Sequence, residues 1–320
     1  DDLSRGLGDV YKRQEKLILN NRSNNLDPGF ELSNAAGLNK NGNIPPTVLQ
    51  YMGFDRVVVG TVTYDQWDGN PRPTVRRYPE SESIVNWEGL PGDGAQVVAE
   101  RLIGYDWHMV PLTINLMSTP GKQGDAMLRD IEGTILATRD VPYVDRFELN
   151  ISCPNLRNKD GADTREENHR MLGDMLYVVE SNVLPNQEVY VKVSPDSGEQ
   201  AIFDTARTLA NHNVSGIVTA NTSRKHNRKY IPDSPVVEGE EVGGASGNAV
   251  YDDSLITQGF YNAMRRQLDA DWNIIACGGI NSLERVAERL HHGATGIQIY
   301  TPLVFSGPKL LRELRSYKGN

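Results

Sequence analysis

Residues 273–301 read NIIACGGINSLERVAERLHHGATGIQIYT. The stretch falls into three parts. NIIACGG is a short β-branched run closed by a glycine pair, LERVAERLHHG spaces its apolar residues as an amphipathic helix does, and TGIQIYT returns to a strand pattern. A strand, a helix and a second strand with no hairpin turn between them make a βαβ unit, so the two strands run parallel. The alternation continues outward. Strand-like runs begin at Phe30 (FELSNAAG), Arg56 (RVVVGTVT), Met109 (MVPLTINL), Arg146 (RFELNIS), Glu188 (EVYVKVSP) and Ser215 (SGIVTANT). Helical segments such as DGAQVVAERLIG, REENHRMLGDMLYVVE and EQAIFDTARTLANH separate most of them. With the two strands of the opening stretch they number eight, the count that closes a barrel. The expected fold is α/β, one (β/α)8 TIM barrel with long βα loops.

Length and composition agree. The chain has 320 residues, somewhat above the ~250 typical of such barrels, which leaves room for loops. Those loops run from about Tyr64 to Pro91, after NISCPN, and from about Ser223 to Asn248. All follow strand C-termini, where this fold builds its active sites, and they read as candidate lids. A net charge of −9 argues against non-specific nucleic-acid binding. Cys153 and Cys277, the two cysteines, make no disulfide framework and fit a reducing cytoplasm. No apolar run approaches the ~20 residues that span a bilayer. Asp1–Gln14, DDLSRGLGDVYKRQ, reads as adapter-derived sequence or a disordered arm, which leaves the barrel to residues 15–320. On the adapter reading the native N-terminus, and any anchoring helix on it, would be missing.

The strand ends carry a pattern of their own. Asn34 and Lys40, Thr61, Asn115, Asn150, Lys192, Asn221 and Thr222, Gly278 and Gly279, Tyr300 and Thr301 occupy them. Amides suit a flat heterocycle bearing donors and acceptors, because each amide supplies both. CGGI exposes backbone N–H groups that only glycine lets a ligand approach closely, and the helix that follows favours an anion at its start. That reads as a phosphate cradle, against a tight turn with ordinary capping. Lys192 alternates inward with Tyr190 and Ser194, and a lysine inside a barrel is rarely there for packing. It could stabilise an anion or form a Schiff base. Cys153, in NISCPN (150–155), could be a buried hydrophobe, a nucleophile or a general base. No metal-ligand spacing occurs, and His291–His292 reads as a solvated helix end.

These residues resemble the dihydroorotate dehydrogenase family, FMN-dependent (β/α)8 enzymes of pyrimidine biosynthesis. The similarity runs from about Asn34 to Leu311. It is carried by NAAGLNKNG (34–42), GTVTYDQWDGNPRPTVRRYPES (60–81), IVNWEGLPGDG (84–94), INLM (114–117), LNISCPN (149–155), VYVKVSPD (189–196), IVTANTS (217–223), GGASGNAVYDDS (243–254), IIACGGINS (274–282) and GIQIYTPLVFSGP (296–308). The resemblance implies oxidation of dihydroorotate to orotate. Ala35, Ala36, Gly37 and Thr61 would line the FMN site. Asn115, Asn150, Lys192 and Thr222 would contact the flavin or its ribityl chain. Gly247, Gly278, Gly279, Tyr300 and Thr301 would hold the ribityl chain and phosphate. Lys40, Asn86, Asn150, Asn155 and Asn221 would grip the substrate. Cys153 resembles the base of class 1 members, whereas the loop GNPRPTVRRYPE resembles that of the quinone-using class 2. The electron acceptor is therefore left among quinone, fumarate and, through a partner subunit, NAD. A homodimer is compatible with the family, as is attachment to the inner membrane surface if quinone is used. Two other readings stay beside this one: a flavin barrel acting on another dihydropyrimidine, and a Schiff-base aldolase using Lys192.

Overall fold

The computed structural model describes residues 29–105, 110–152 and 165–318. The arm Asp1–Gln14, Cys153 and Asn155 lie outside them. Every expected barrel strand forms: β1 (Glu31–Asn34), β2 (Val57–Val62), β3 (Leu112–Leu116), β4 (Val144–Asn150), β5 (Glu188–Val193), β6 (Gly216–Thr219), β7 (Asn273–Cys277) and β8 (Gly296–Ile299). They make one eight-stranded parallel sheet in the order β1-β8-β7-β6-β5-β4-β3-β2. Helices Ala95–Ile103, Gly124–Thr138, Arg165–Asn182, Glu199–Ala210, Tyr251–Gln267 and Leu283–His291 alternate with these strands. The main apolar core lies between the two layers. Val57, Val59, Leu112, Ile114, Phe147, Leu149, Val189 and Val191 meet Val98, Leu102, Ile131, Ile135 and Leu176 there. Strand residues of the opposite parity point into the barrel, as the period of two requires.

The ring closes between β1 and β2 by an unusual route. A single bridge pairs Ser33 with Arg56. Above it the Asn34 side chain takes the place of a ladder rung. Its Nδ2 donates to the Val58 carbonyl at 2.7 Å, and its Oδ1 accepts from the Val58 N–H at 3.0 Å. One amide thus satisfies both polar groups of a buried backbone residue. Asn34 is therefore a structural stitch rather than part of the amide ring expected to face a ligand. Asn34→Ala is expected to strand both Val58 groups and to cost about 3 kcal/mol, read as a lower urea midpoint. An unchanged midpoint would show that the seam is held by something else.

The N-terminal floor of the barrel is charged and paired. Arg56 Nε lies 2.8 Å from Glu31 and also pairs with Asp145; Arg146 lies 2.7 Å from Glu31 and 2.8 Å from Glu188. The Arg146 guanidinium sits 3.9 Å over the Tyr190 ring. Burial alone would push the Glu31 carboxyl up, but Arg146 and Arg56 outweigh it and hold Glu31 below the usual range.

Of the three loops read as candidate lids, the one after NISCPN lies outside the described residues, and the other two differ from expectation. Residues Val75–Tyr78, Ser83–Asn86 and Gly244–Gly247 form a three-stranded antiparallel sheet with Ser83–Asn86 in the middle. Val236–Val237 and Glu240–Glu241 add a short hairpin. Tyr78, Val85, Ile231, Ala245 and Ala249 give this cap a small core of its own. Backbone pairing and a private core make it a fixed platform. A bridge from Ser223 to Ala245 ties it to the segment after β6.

Candidate active site

Each expected site residue among those described lies at or just past the C-terminal end of a barrel strand, or on the cap above. Ala35, Ala36, Gly37 and Lys40 follow β1, while Thr61, Asn115, Asn150 and Lys192 lie within β2, β3, β4 and β5. Asn221 and Thr222 follow β6, Gly278 and Gly279 follow β7, and Tyr300 and Thr301 follow β8. Asn86 and Gly247 are cap residues at opposite ends of one strand pair, Asn86 opposite Gly244 and Gly247 opposite Ser83.

Inside the barrel these side chains form a continuous polar chain. Thr61 Oγ1 donates to Asn115 Oδ1 at 2.6 Å, and Asn115 Nδ2 donates to Glu148 Oε1 at 2.7 Å. Gln298 Nε2 donates to the other Glu148 oxygen at 2.7 Å. Lys192 Nζ donates to Gln298 Oε1 at 3.2 Å and lies 3.7 Å from Glu148 Oε1. Lys192 is 3% exposed and Glu148 fully buried, so the lysine does point inward and its charge is balanced in place. Charges this deep persist only when paired and hydrogen-bonded, and both conditions hold.

The chain continues upward through Asn150. Its Nδ2 donates to Thr61 Oγ1 at 3.4 Å, and its Oδ1 accepts from Ser152 Oγ at 2.6 Å and Asn221 Nδ2 at 3.3 Å. Asn221 Nδ2 also donates to Ser152 Oγ, and Asn221 Oδ1 accepts from the Thr222 N–H at 2.9 Å. Thr222 packs on the cap at Gly244, where a Cβ would fall 2.1 Å from its hydroxyl. Only glycine permits that approach.

A second region lies between the β7 and β8 ends. A shallow depression there is lined by Glu82, Gly247, Asn248, Gly279, Asn281, Thr301 and Pro302. Gly247, Gly278 and Gly279 all have positive φ. A Cβ on Gly279 would lie 2.7 Å from the Gly247 carbonyl, so two bare backbone segments face each other there. A wall of backbone with a threonine hydroxyl beside it suits a phosphate, and the residues present therefore fit the tail of a flavin mononucleotide. Glu82, one of the lining residues, accepts from Asn281 Nδ2 at 2.7 Å. Ser282 caps the following helix by accepting from the Arg285 N–H at 3.3 Å.

Sequence reasoning missed three parts of this arrangement. Glu148 and Gln298 stand at inward positions of β4 and β8. Two-residue spacing from Asn150 and Arg146 could have found Glu148. Arg289 is fully buried, and its NH2 donates to the Gly278 carbonyl at 2.9 Å and to Ser254. Burial lowers its guanidinium to about 10. Its place in the apolar stripe of its helix, three residues after buried Val286, was the available signal. Cys277 is buried, and its Sγ lies 4.0 Å from Lys192 Nζ, at the edge of the polar chain. Burial pushes this thiol up, and Lys192 offsets only part of that. His291 and His292 end their helix, His292 against the Glu288 carbonyl at 2.7 Å. Among the described residues no cluster could hold a metal ion.

The same architecture recurs in solved proteins. A dihydroorotate dehydrogenase from Eimeria tenella, in complex with ferulenol, superposes with a TM-score of 0.74 over 90% of this chain and 80% of its own, at 22% identity. Curated relatives are more similar in sequence. A quinone dihydroorotate dehydrogenase from Natronomonas pharaonis is 32% identical over 280 residues, 88% of this chain and 75% of the relative. One from Paracidovorax citrulli is 31% identical over 307 residues, 88% of this chain and 79% of the relative. The family model described as dihydroorotate dehydrogenase matches residues 24–316. That match spans the barrel, the cap and the glycine cradle together, which decides against the aldolase reading of Lys192. The chain belongs to the dihydroorotate dehydrogenase family.

Proposed function

We propose that this protein oxidises (S)-dihydroorotate to orotate, with FMN as its bound cofactor and a quinone as the external electron acceptor. The observation that carries the reading is the polar chain from Thr61 through Asn115, Glu148, Gln298 and Lys192, set beside the glycine cradle at the ends of β7 and β8. Quinone is favoured over fumarate and NAD because the curated relatives are quinone enzymes.

Bound FMN would supply a two-electron acceptor for the hydride that leaves C6 of the substrate. The chain's own residues do the rest. Gly247, Gly278, Gly279, Tyr300 and Thr301 hold the phosphate and ribityl chain. Ala35, Ala36 and Gly37 present a smooth wall where β1 ends. Thr61, Asn115, Asn150, Lys192 and Thr222 face the ring, and Lys192 places a cation where negative charge develops. Asn86, Asn150, Asn155 and Asn221 orient the pyrimidine by paired donors and acceptors, and Lys40 takes its carboxylate. Cys153 removes the C5 proton, since a thiol titrating at ~8.5 is within reach of neutral pH.

The test is anaerobic addition of L-dihydroorotate to purified holoprotein while flavin absorbance near ~450 nm is followed. Rapid bleaching, reversed by a soluble quinone but not by fumarate or NAD, is expected. A yellow protein that dihydroorotate leaves oxidised would exclude this substrate. Recovery with fumarate alone would move the acceptor. No helix among the described residues is long and apolar enough to cross a membrane.

A further inference from the structure

Lys40 is not free in this structure. Its Nζ lies 2.9 Å from Glu88 Oε2, with the two side chains 21% and 36% exposed. Glu88 is held in place by its backbone. Its carbonyl accepts from the Asn70 N–H at 2.8 Å, and the Asn70 side chain donates to the neighbouring Trp87 carbonyl at 2.6 Å. Gly89 and Leu90, both at positive φ, then turn the chain away. Across the mouth, the Tyr300 phenol is raised chiefly by burial and also by the Glu88 charge. The carboxylate therefore stands between the β1 and β8 ends, two residues beyond Asn86.

We infer that Glu88 sets the affinity for pyrimidine acids: its carboxylate occupies Lys40 until the carboxylate of an incoming pyrimidine acid displaces it. The inference rests on the role proposed above for Lys40. An ion pair open to water on one side is weak and exchangeable, so it can be broken by a ligand that brings its own carboxylate. A ligand without one has nothing to offer Lys40 in return. The exchange lowers affinity for every acid while the loop keeps its shape. Affinity for acids is thus set by a built-in competitor as well as by attractive contacts.

The experiment is equilibrium titration of the holoprotein with orotate and, separately, with uracil, by calorimetry and by the flavin absorbance change. Wild type and Glu88→Gln are compared. The amide keeps the size and hydrogen-bonding reach of the acid but leaves Lys40 uncompensated. Orotate is expected to bind about tenfold tighter to the variant, while uracil changes by less than about twofold. Equal gains for both ligands would point to altered shape and overturn the competitor role. So would orotate affinity that is unchanged or weaker, the latter meaning that Glu88 positions Lys40 instead. Dihydroorotate bleaching of the same preparations separates the failures. A bleached wild type with no Glu88 effect overturns this inference alone. A protein that neither bleaches nor binds orotate overturns the proposed activity and the inference together.

Discussion

Lys192→Met is expected to cost about 3–5 kcal/mol of stability, because it leaves the Glu148 carboxylate buried without its cation. Asn115 and Gln298 still donate to that carboxylate, but neutral donors do not replace a charge at such depth. The second variant separates packing from chemistry. Lys192→Met combined with Glu148→Gln removes both charges and should recover most of the lost stability in urea unfolding. It should not recover flavin reduction, because the cation proposed to act on the flavin is still missing. A single variant as stable as wild type would mean that the pair carries no net energy. A double variant that bleaches at the wild-type rate would take Lys192 out of the reaction.

Cys153→Ala should slow flavin bleaching by dihydroorotate roughly 10²–10⁴-fold while flavin content stays unchanged. The expectation comes from the resemblance of NISCPN to the family's base-bearing segment. The described residues lead up to it and stop at Ser152. That lead-in is nonetheless organised for the task. Asn150 gathers Ser152 and Asn221 at the mouth. Cys153→Ser should keep part of the rate and gain more of it as pH rises, because a hydroxyl is a poorer base near neutrality. Alanine at full speed would assign the proton to another group. Loss of flavin from the alanine variant would mean that the residue acts on the cofactor's fit.

The barrel was legible because its signal repeats. Eight short β-branched runs, each followed by turn residues and most by a helical pattern, leave few topologies to choose from. Polar residues at strand ends stood out against that apolar background, so Lys192, Asn115 and Asn150 were found without contacts. The cap was not legible. Val75–Tyr78 is mostly exposed and reads VRRY, and Gly244–Gly247 reads GASG, so neither shows the apolar alternation of a strand. Their pairing is long-range and depends on the barrel to bring them together. Glu148 was hidden for a different reason. In RFELN it sits between two large apolar residues, and only its two-residue spacing from Asn150 marks its inward direction. Asn34 was found but misjudged, since an amide that serves a ligand and one that serves backbone look alike in sequence.

The closure described at Asn34 also bears on how the molecule comes into being. On one side β1 is joined to the chain around β2, its near neighbour in sequence, by one bridge, the Asn34 side chain and hydrogen bonds between Leu32 and Asp55, without a regular ladder. On its other side β1 pairs with β8, in register from Glu31–Gly296 to Asn34–Ile299. Those partners come from opposite ends of the described chain. During synthesis β1 is made before its partner, so its full hydrogen-bonding edge must wait for β8 to emerge. Ring closure is then the step with the longest loop to close, the kind of parallel pairing that folds slowly. Until it happens, β1 offers an unpaired edge with apolar neighbours on one face. The nascent chain is thus most vulnerable to misassociation until β8 has been made, and a chaperone that shields this edge would raise yield without touching the finished enzyme.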